Sequence, residues 1–208
     1  NLVRLVSYGW TEGFYYKPRI DMELLRKYRE GLIACSACLN GIISSLILHE
    51  TVEKAREKVL EFKAIYGEDF YLELQRHPSG DEKIDKEVYQ DQVFVNEQLI
   101  ILGKKTGTRV IATNDVHFIN EEDAEAHDRL LCINTGKDLD DPNRMRYTRQ
   151  EWLKTQEEMQ RLFSDIPEAL ENTNAIVEKI EDFSLDSPPI MPEFPIPPEF
   201  DTIEAYRE

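Results

Sequence analysis

The chain has 208 residues, of which 41% are hydrophobic and 32% charged, and carries a formal net charge of −16. That composition allows one large domain or two small ones, with an adequate core and a well-solvated surface. It argues against a nucleic-acid surface made by the chain as a whole, because phosphate contacts need clustered Lys and Arg, and no apolar run approaches the roughly 20 residues of a membrane span.

The first residue is Asn1 rather than Met, and no charged-then-apolar signal segment follows it. The chain reads as a soluble, cytoplasmic piece of a longer one. Residues 1–8 have the pattern of a helix end. An aromatic, basic loop follows, Gly13-Phe14-Tyr15-Tyr16-Lys17-Pro18-Arg19. Residues 1–31 carry six basic and four acidic side chains, so contact with a polyanion would favour this end. Asp21 caps a short helix through about Tyr28. Gly31 opens a strand over residues 32–38, which Asn40-Gly41 breaks. Thr51 caps an amphipathic helix from Val52 to Tyr66, stopped by Gly67.

The second strand, Phe70 to Arg76, alternates and ends at His77. A polar loop with Pro78 and Gly80 leads into a long helix over 86–106, ended by Gly107. Arg109–Thr113 is the third strand, and 121–133 the next helix. Strand–helix alternation of this kind predicts a parallel sheet or a barrel of βα units. Residues 134–149 read as a loop and 150–182 as two helices, with Pro167 opening the second. Residues 150–208 hold four basic and fifteen acidic side chains. Six prolines between Pro188 and Pro198 make an extended, semi-rigid connector.

Residues able to bind metal sit at all three strand ends: Cys38, then His77, then Asp115 with His117. In βα barrels the C-terminal ends of the parallel strands gather the functional site. A thiolate, imidazoles and a carboxylate together suit zinc or a similar ion. Such an ion acidifies bound water and polarises a phosphoryl oxygen. Each residue also has a plainer reading: Cys38 as a small buried side chain, His77 as a loop residue, Asp115 as a cap and His117 as a core histidine. The lone Cys35-Ser36-Ala37-Cys38 lacks the second half of a zinc ribbon, and its cysteines would face opposite sides of a strand. His49 and His127 read as packing or surface residues, and Asp138, Asp140 and Asp141 as a turn before Pro142. Tyr16, Lys17 and Arg19 could stack on a base or grip a phosphate, with packing the favoured role.

Glu12-Gly13-Phe14-Tyr15-Tyr16-Lys17-Pro18-Arg19-Ile20-Asp21, Ser36-Ala37-Cys38-Leu39-Asn40-Gly41, Tyr71-Leu72-Glu73-Leu74-Gln75 and Ala112-Thr113-Asn114-Asp115-Val116-His117 resemble the bacterial DNA polymerase III alpha-subunit family. So do Glu122 to Asp128, Thr135-Gly136-Lys137, Asp140 to Arg144 and Asp165 to Thr173. The resemblance runs in order over about residues 1–200 and covers the later part of the family's PHP (polymerase and histidinol phosphatase) domain.

It implies an α/β fold, a partial, distorted (β/α)7 barrel with parallel strands, followed by helices and a Pro-rich connector. The PHP portion would span 1–186, with its first strands missing, and the connector 187–208. By motif position Cys38, His77, Asp115 and His117 resemble the family's later ligands for divalent metal ions, zinc, manganese or magnesium. Some members use such a cluster to cleave phosphoesters, including 3′-terminal nucleotides. In others the ligands are lost and the domain serves structure.

The family's His-x-His strand and Asp-His motif have no counterpart here, nor do the polymerase's own catalytic aspartates. The resemblance thus implies a cytoplasmic parent that synthesises DNA with magnesium, dNTPs and other replisome subunits. The segment by itself would be inactive and bind little nucleic acid. A stand-alone PHP phosphoesterase and a non-catalytic brace or docking scaffold are the alternatives.

Overall fold

A computed structural model gives the fold; it describes residues 1–184, 186–190, 195–200 and 202–207. These divide into two compact units, 1–177 and 178–208. No helix among the described residues is long and apolar enough to cross a membrane.

The first unit opens with α1 (Leu2–Thr11). Helix α2 (Met22–Lys27) starts where Asp21 Oδ1 accepts the Leu24 N–H at 2.8 Å, the expected cap. Strand β1 is only Ala34–Cys35, not the seven residues 32–38. The cause is local. The Ser36 N–H still donates to the Tyr71 carbonyl, but its hydroxyl, not a strand carbonyl, accepts the Glu73 N–H at 2.9 Å. Ala37 then turns at φ +62°. Cys38 therefore lies in a turn, and the alternating-face argument for the two cysteines does not apply. Gly41 closes the turn; a Cβ there would lie 2.2 Å from the Ser36 carbonyl oxygen.

Helices α3 (Ile42–His49) and α4 (Val52–Tyr66) follow. Thr51 caps α4, its hydroxyl accepting the Lys54 N–H at 3.3 Å. Strand β2 (Phe70–Gln75) leads through a short helix α5 (Glu82–Ile84) and one π turn into α6 (Gln90–Thr106). Gly107 ends α6 in the left-handed region, φ +65°, the usual place for glycine. Strand β3 (Arg109–Thr113), α7 (Ala124–Thr135), α8 (Gln156–Leu162) and α9 (Pro167–Val177) complete the unit.

The three strands pair in parallel in the order β1-β2-β3. The fold is thus α/β with a small parallel sheet, consistent with part of a PHP barrel. Because strand side chains alternate, Phe70, Leu72, Leu74, Val110 and Ala112 share one face. They join Ile43, Ile47, Val59, Leu99, Leu102 and Phe163 in one apolar core. The other face carries Tyr71, Glu73 and Gln75 beside Ile111 and Thr113. Gln75 and Tyr71 are buried there too. Buried polar side chains on a parallel strand are costly, and here Gln75 lines the cavity described below.

Residues 136–149 are a loop, as the composition implies. Arg144 fastens it to α7 through two hydrogen bonds to the Asp128 carboxylate, one of 2.8 Å. The guanidinium holds the Asp128 carboxyl below the usual aspartate range. A depressed folded-state pKa adds stability that is present above the unfolded value and lost as pH falls through the folded one. Asp128→Asn should therefore cost about 1–3 kcal/mol at pH 7. The gap to wild type should shrink below about pH 4, where unfolded aspartate itself protonates. Urea unfolding at pH 7 and pH 3 checks both; a gap independent of pH would refute the assignment.

Residues 150–155 are not helical, against the expectation of helix from 150 onward. Trp152 instead makes a parallel bridge with Phe118. In the second unit, α10 (Ile203–Arg207) begins where the Thr202 hydroxyl accepts the Ala205 N–H at 3.1 Å. Pro188, Pro189, Pro195, Pro197 and Pro198 lie outside helices and strands. Pro192, Asp201 and Glu208, which belong to the expected connector and first turn, lie outside the described residues.

Candidate metal centre

The ends of β1, β2 and β3 converge on a cavity of about 280 Å³. Cys38, His77 and Asp115 line it, so three of the four residues singled out from sequence border one cavity. Gln92, Tyr147 and Glu151 complete it, with Arg146 on the rim. His117 does not line the cavity. Its ring centroid lies 4.6 Å from that of Tyr147, which does, and 5.6 Å from that of His127, both rings tilted against it. Among the described residues, no three His, Cys, Asp or Glu side chains stand close enough together to hold a metal ion as they are placed.

Each donor has a reason for its position. Asp115 takes φ +45°, a left-handed turn that aspartate tolerates better than most residues. The Asp115 carbonyl lies 2.6 Å from His117 Nδ1. A carbonyl only accepts, so Nδ1 carries the proton and Nε2 is the free nitrogen. His77 is almost fully buried, 3% exposed. Its Nε2–H donates to the Asn114 carbonyl at 3.1 Å, by the same logic, so Nδ1 is the lone-pair nitrogen. Gln92 grips it twice. Its Oε1 accepts the His77 N–H at 2.8 Å and its Nε2 stands 2.9 Å from Nδ1. Burial pushes the His77 pKa below the usual histidine value, against the opposing pull of Glu151. Ligation through Nδ1 requires the Gln92 amide to yield.

A polar network missed from sequence supports these groups. Glu73 accepts from the Ala37 N–H at 3.2 Å and from the Thr113 hydroxyl at 2.8 Å, tying the β1 turn to β3. Asn96 Nδ2 donates to the Gln75 carbonyl at 2.8 Å. Asn114 Nδ2 donates to both the Gln150 and Trp152 carbonyls, at 2.8 and 2.7 Å. The Glu151 carbonyl accepts from the His117 N–H at 2.7 Å. The segment 148–152 is thereby pinned beside β3, and Glu151, 2% exposed, enters the cavity. The one available sequence signal was Tyr71-x-Glu73-x-Gln75, polar groups alternating onto one face of a buried strand. Nothing local marked Gln92 or Glu151, and Asn114 stood out only as a member of the motif around Asp115.

Tyr16, Lys17 and Arg19 do not line this cavity. Tyr16 is 83% exposed at φ +59°, and the Arg19 guanidinium lies 5.2 Å from the Tyr15 ring centroid. Cys35 also lies apart from it. Desolvation, and then the Glu73 carboxylate, push its thiol up to about 11, opposite to what redox chemistry asks of a cysteine.

The donor types suit a divalent ion: a thiol, an imidazole and a carboxylate border the same cavity. Glu151 adds a buried oxygen, Oε2, that has no hydrogen-bond partner among the described residues.

The PHP domain family model matches residues 1–77, the stretch ending at His77. Over its whole length the chain is 47% identical to the DNA polymerase III subunit alpha of Borreliella burgdorferi and 37% identical to that of Helicobacter pylori strain J99. It is 37% identical over 95% of its length to the subunit of Thermus aquaticus. The chain spans 17% of the Borreliella and Helicobacter proteins and 16% of the Thermus one. By this similarity it belongs to the DNA polymerase III alpha-subunit family, as a PHP-domain segment of it.

Proposed function

We propose that the chain supplies a divalent-metal, phosphoester-cleaving pocket of 3′-5′ exonuclease type to a replicative DNA polymerase. The observation that carries this is the convergence of Cys38, His77 and Asp115 on one cavity at the strand ends. Those three with His117 would hold the ion, zinc, manganese or magnesium. When bound, it would polarise a phosphoryl oxygen and acidify a water. The chain's own residues do the rest. The Asn114 carbonyl fixes the His77 tautomer, and Arg146 on the rim offers positive charge to a phosphodiester. The PHP portion would continue to residue 186 and the connector follow it. The whole protein would extend DNA from dNTPs with magnesium, in the cytoplasm, among other replisome subunits. Tyr16, Lys17 and Arg19 would contact substrate only in that larger setting.

The test is metal content after dialysis of the purified chain. Asp115→Asn and His117→Ala should each lower zinc or manganese affinity by about 10–100-fold, the scale seen when a site loses its support. Unchanged metal content in both variants would refute the ligand roles.

A second reading is favoured by one observation: both His77 ring nitrogens already have protein partners. On that reading the domain is a brace for the polymerase and binds no ion. Metal-free wild-type protein with an undiminished melting temperature would support it.

A further inference from the structure

The Glu151 carboxylate is half satisfied. Oε1 accepts from the Thr148 N–H at 3.0 Å and from the Thr148 hydroxyl at 2.6 Å. Oε2 is buried and accepts from no donor among the described residues. A buried carboxylate oxygen without a donor is costly to keep. The nearby cation does not relieve it, because Lys154 donates to the Gln150 carbonyl and lies over the Trp152 ring. Yet the backbone invests in holding the residue there. Its carbonyl accepts the His117 N–H, and Asn114 clamps the residues on both sides. His77 Nδ1 stands 3.7 Å from Oε1.

We propose that Glu151 is a further donor to a divalent cation in this cavity, its open Oε2 facing the ion and Oε1 held by Thr148. The proposal rests on the metal-pocket reading above and adds a ligand that the strand-end pattern did not include. The ion class is one that accepts mixed oxygen and nitrogen donors, zinc or manganese. Glu151 arrives from a loop after α7, so metal binding would also fasten residues 148–152 to β3.

Zinc alone is titrated calorimetrically into the full chain as wild type, Glu151→Gln and Asp115→Asn, with melting curves recorded without metal. Glu151→Gln keeps the side-chain shape and an acceptor for Thr148, so its metal-free melting temperature should stay near wild type. Its zinc affinity should fall at least tenfold. Wild-type affinity in Glu151→Gln overturns the proposal while leaving the pocket intact. Failure of wild type itself to bind zinc overturns the pocket and this proposal with it. Should Glu151→Gln not fold, anomalous scattering from zinc-soaked wild-type crystals decides. An ion about 2.0–2.2 Å from a Glu151 oxygen upholds the proposal, and one bound in the cavity but distant from Glu151 refutes it.

Discussion

Phe163→Ala should destabilise the first unit by about 3–5 kcal/mol, the range for deleting a buried aromatic ring. Phe163 is fully buried and belongs to the same apolar core as the sheet residues Leu72, Leu74, Val110 and Ala112. It closes α8 and therefore decides whether the C-terminal helices remain on the sheet. The Arg76 guanidinium stands 4.9 Å from its ring centroid. Arg76 also donates to the Leu162 carbonyl at 2.8 Å and to both Asp165 oxygens. Alanine would leave a cavity and remove the surface on which Arg76 is stacked. Two effects thus fall on one residue, while a surface pair alone contributes only about 0–1 kcal/mol.

The consequence reaches β3. Helix α9 packs along this strand, and Asn172 Nδ2 donates to the Val110 carbonyl at 2.8 Å. That bond covers part of an edge otherwise open to pairing with another chain. With α8 and α9 loosened, Phe163→Ala should gain aggregation as well as lose stability. For a unit of this size the melting temperature should fall by on the order of 10 °C. Chemical unfolding followed by tryptophan fluorescence measures the loss. A decrease below about 1 kcal/mol would show that the cavity collapses or that α8 contributes little.

Much of the fold was legible because period and punctuation agree locally. Asp21, Thr51, Gly107 and Pro167 mark helix ends in sequence and do so in the structure. Strands β2 and β3 are alternating or apolar runs of ordinary length. The errors have a common origin. Over 32–38 the residues favour a strand, yet the Ser36 hydroxyl takes a backbone N–H and ends the pairing after Cys35. Over 150–155 a side chain thirty-six residues away, Asn114, holds the backbone extended. Both are long-range hydrogen bonds that override local preference, and neither leaves a periodic trace. The site divides in the same way. Cys38, His77 and Asp115 could be found because strand ends can be found. Glu151 could not, since long-range hydrogen bonds from Asn114 and His117 bring it in.

That bracket predicts the second large effect. Asn114→Ala removes the donor shared by the Gln150 and Trp152 carbonyls. The Trp152 carbonyl would then lack a partner, while the Gln150 carbonyl keeps Lys154, a loss of about 1–3 kcal/mol by the scale for unsatisfied groups. The larger result is functional. The His77 tautomer depends on the Asn114 backbone carbonyl, which alanine keeps, so His77 should remain as it is. Glu151 and the backbone acceptor of His117 depend on the side-chain bracket and should be released. Zinc affinity should therefore fall about 10–100-fold although no ligand-type residue has been changed. Calorimetric titration beside a melting curve separates the two effects. Reduced stability with wild-type zinc affinity would make Asn114 a structural clamp alone and would cut the link between segment 148–152 and the metal pocket. Reduced affinity in a chain that still melts cooperatively would show that the site is assembled by backbone capture across the ends of the sheet, not by the strand-end residues alone.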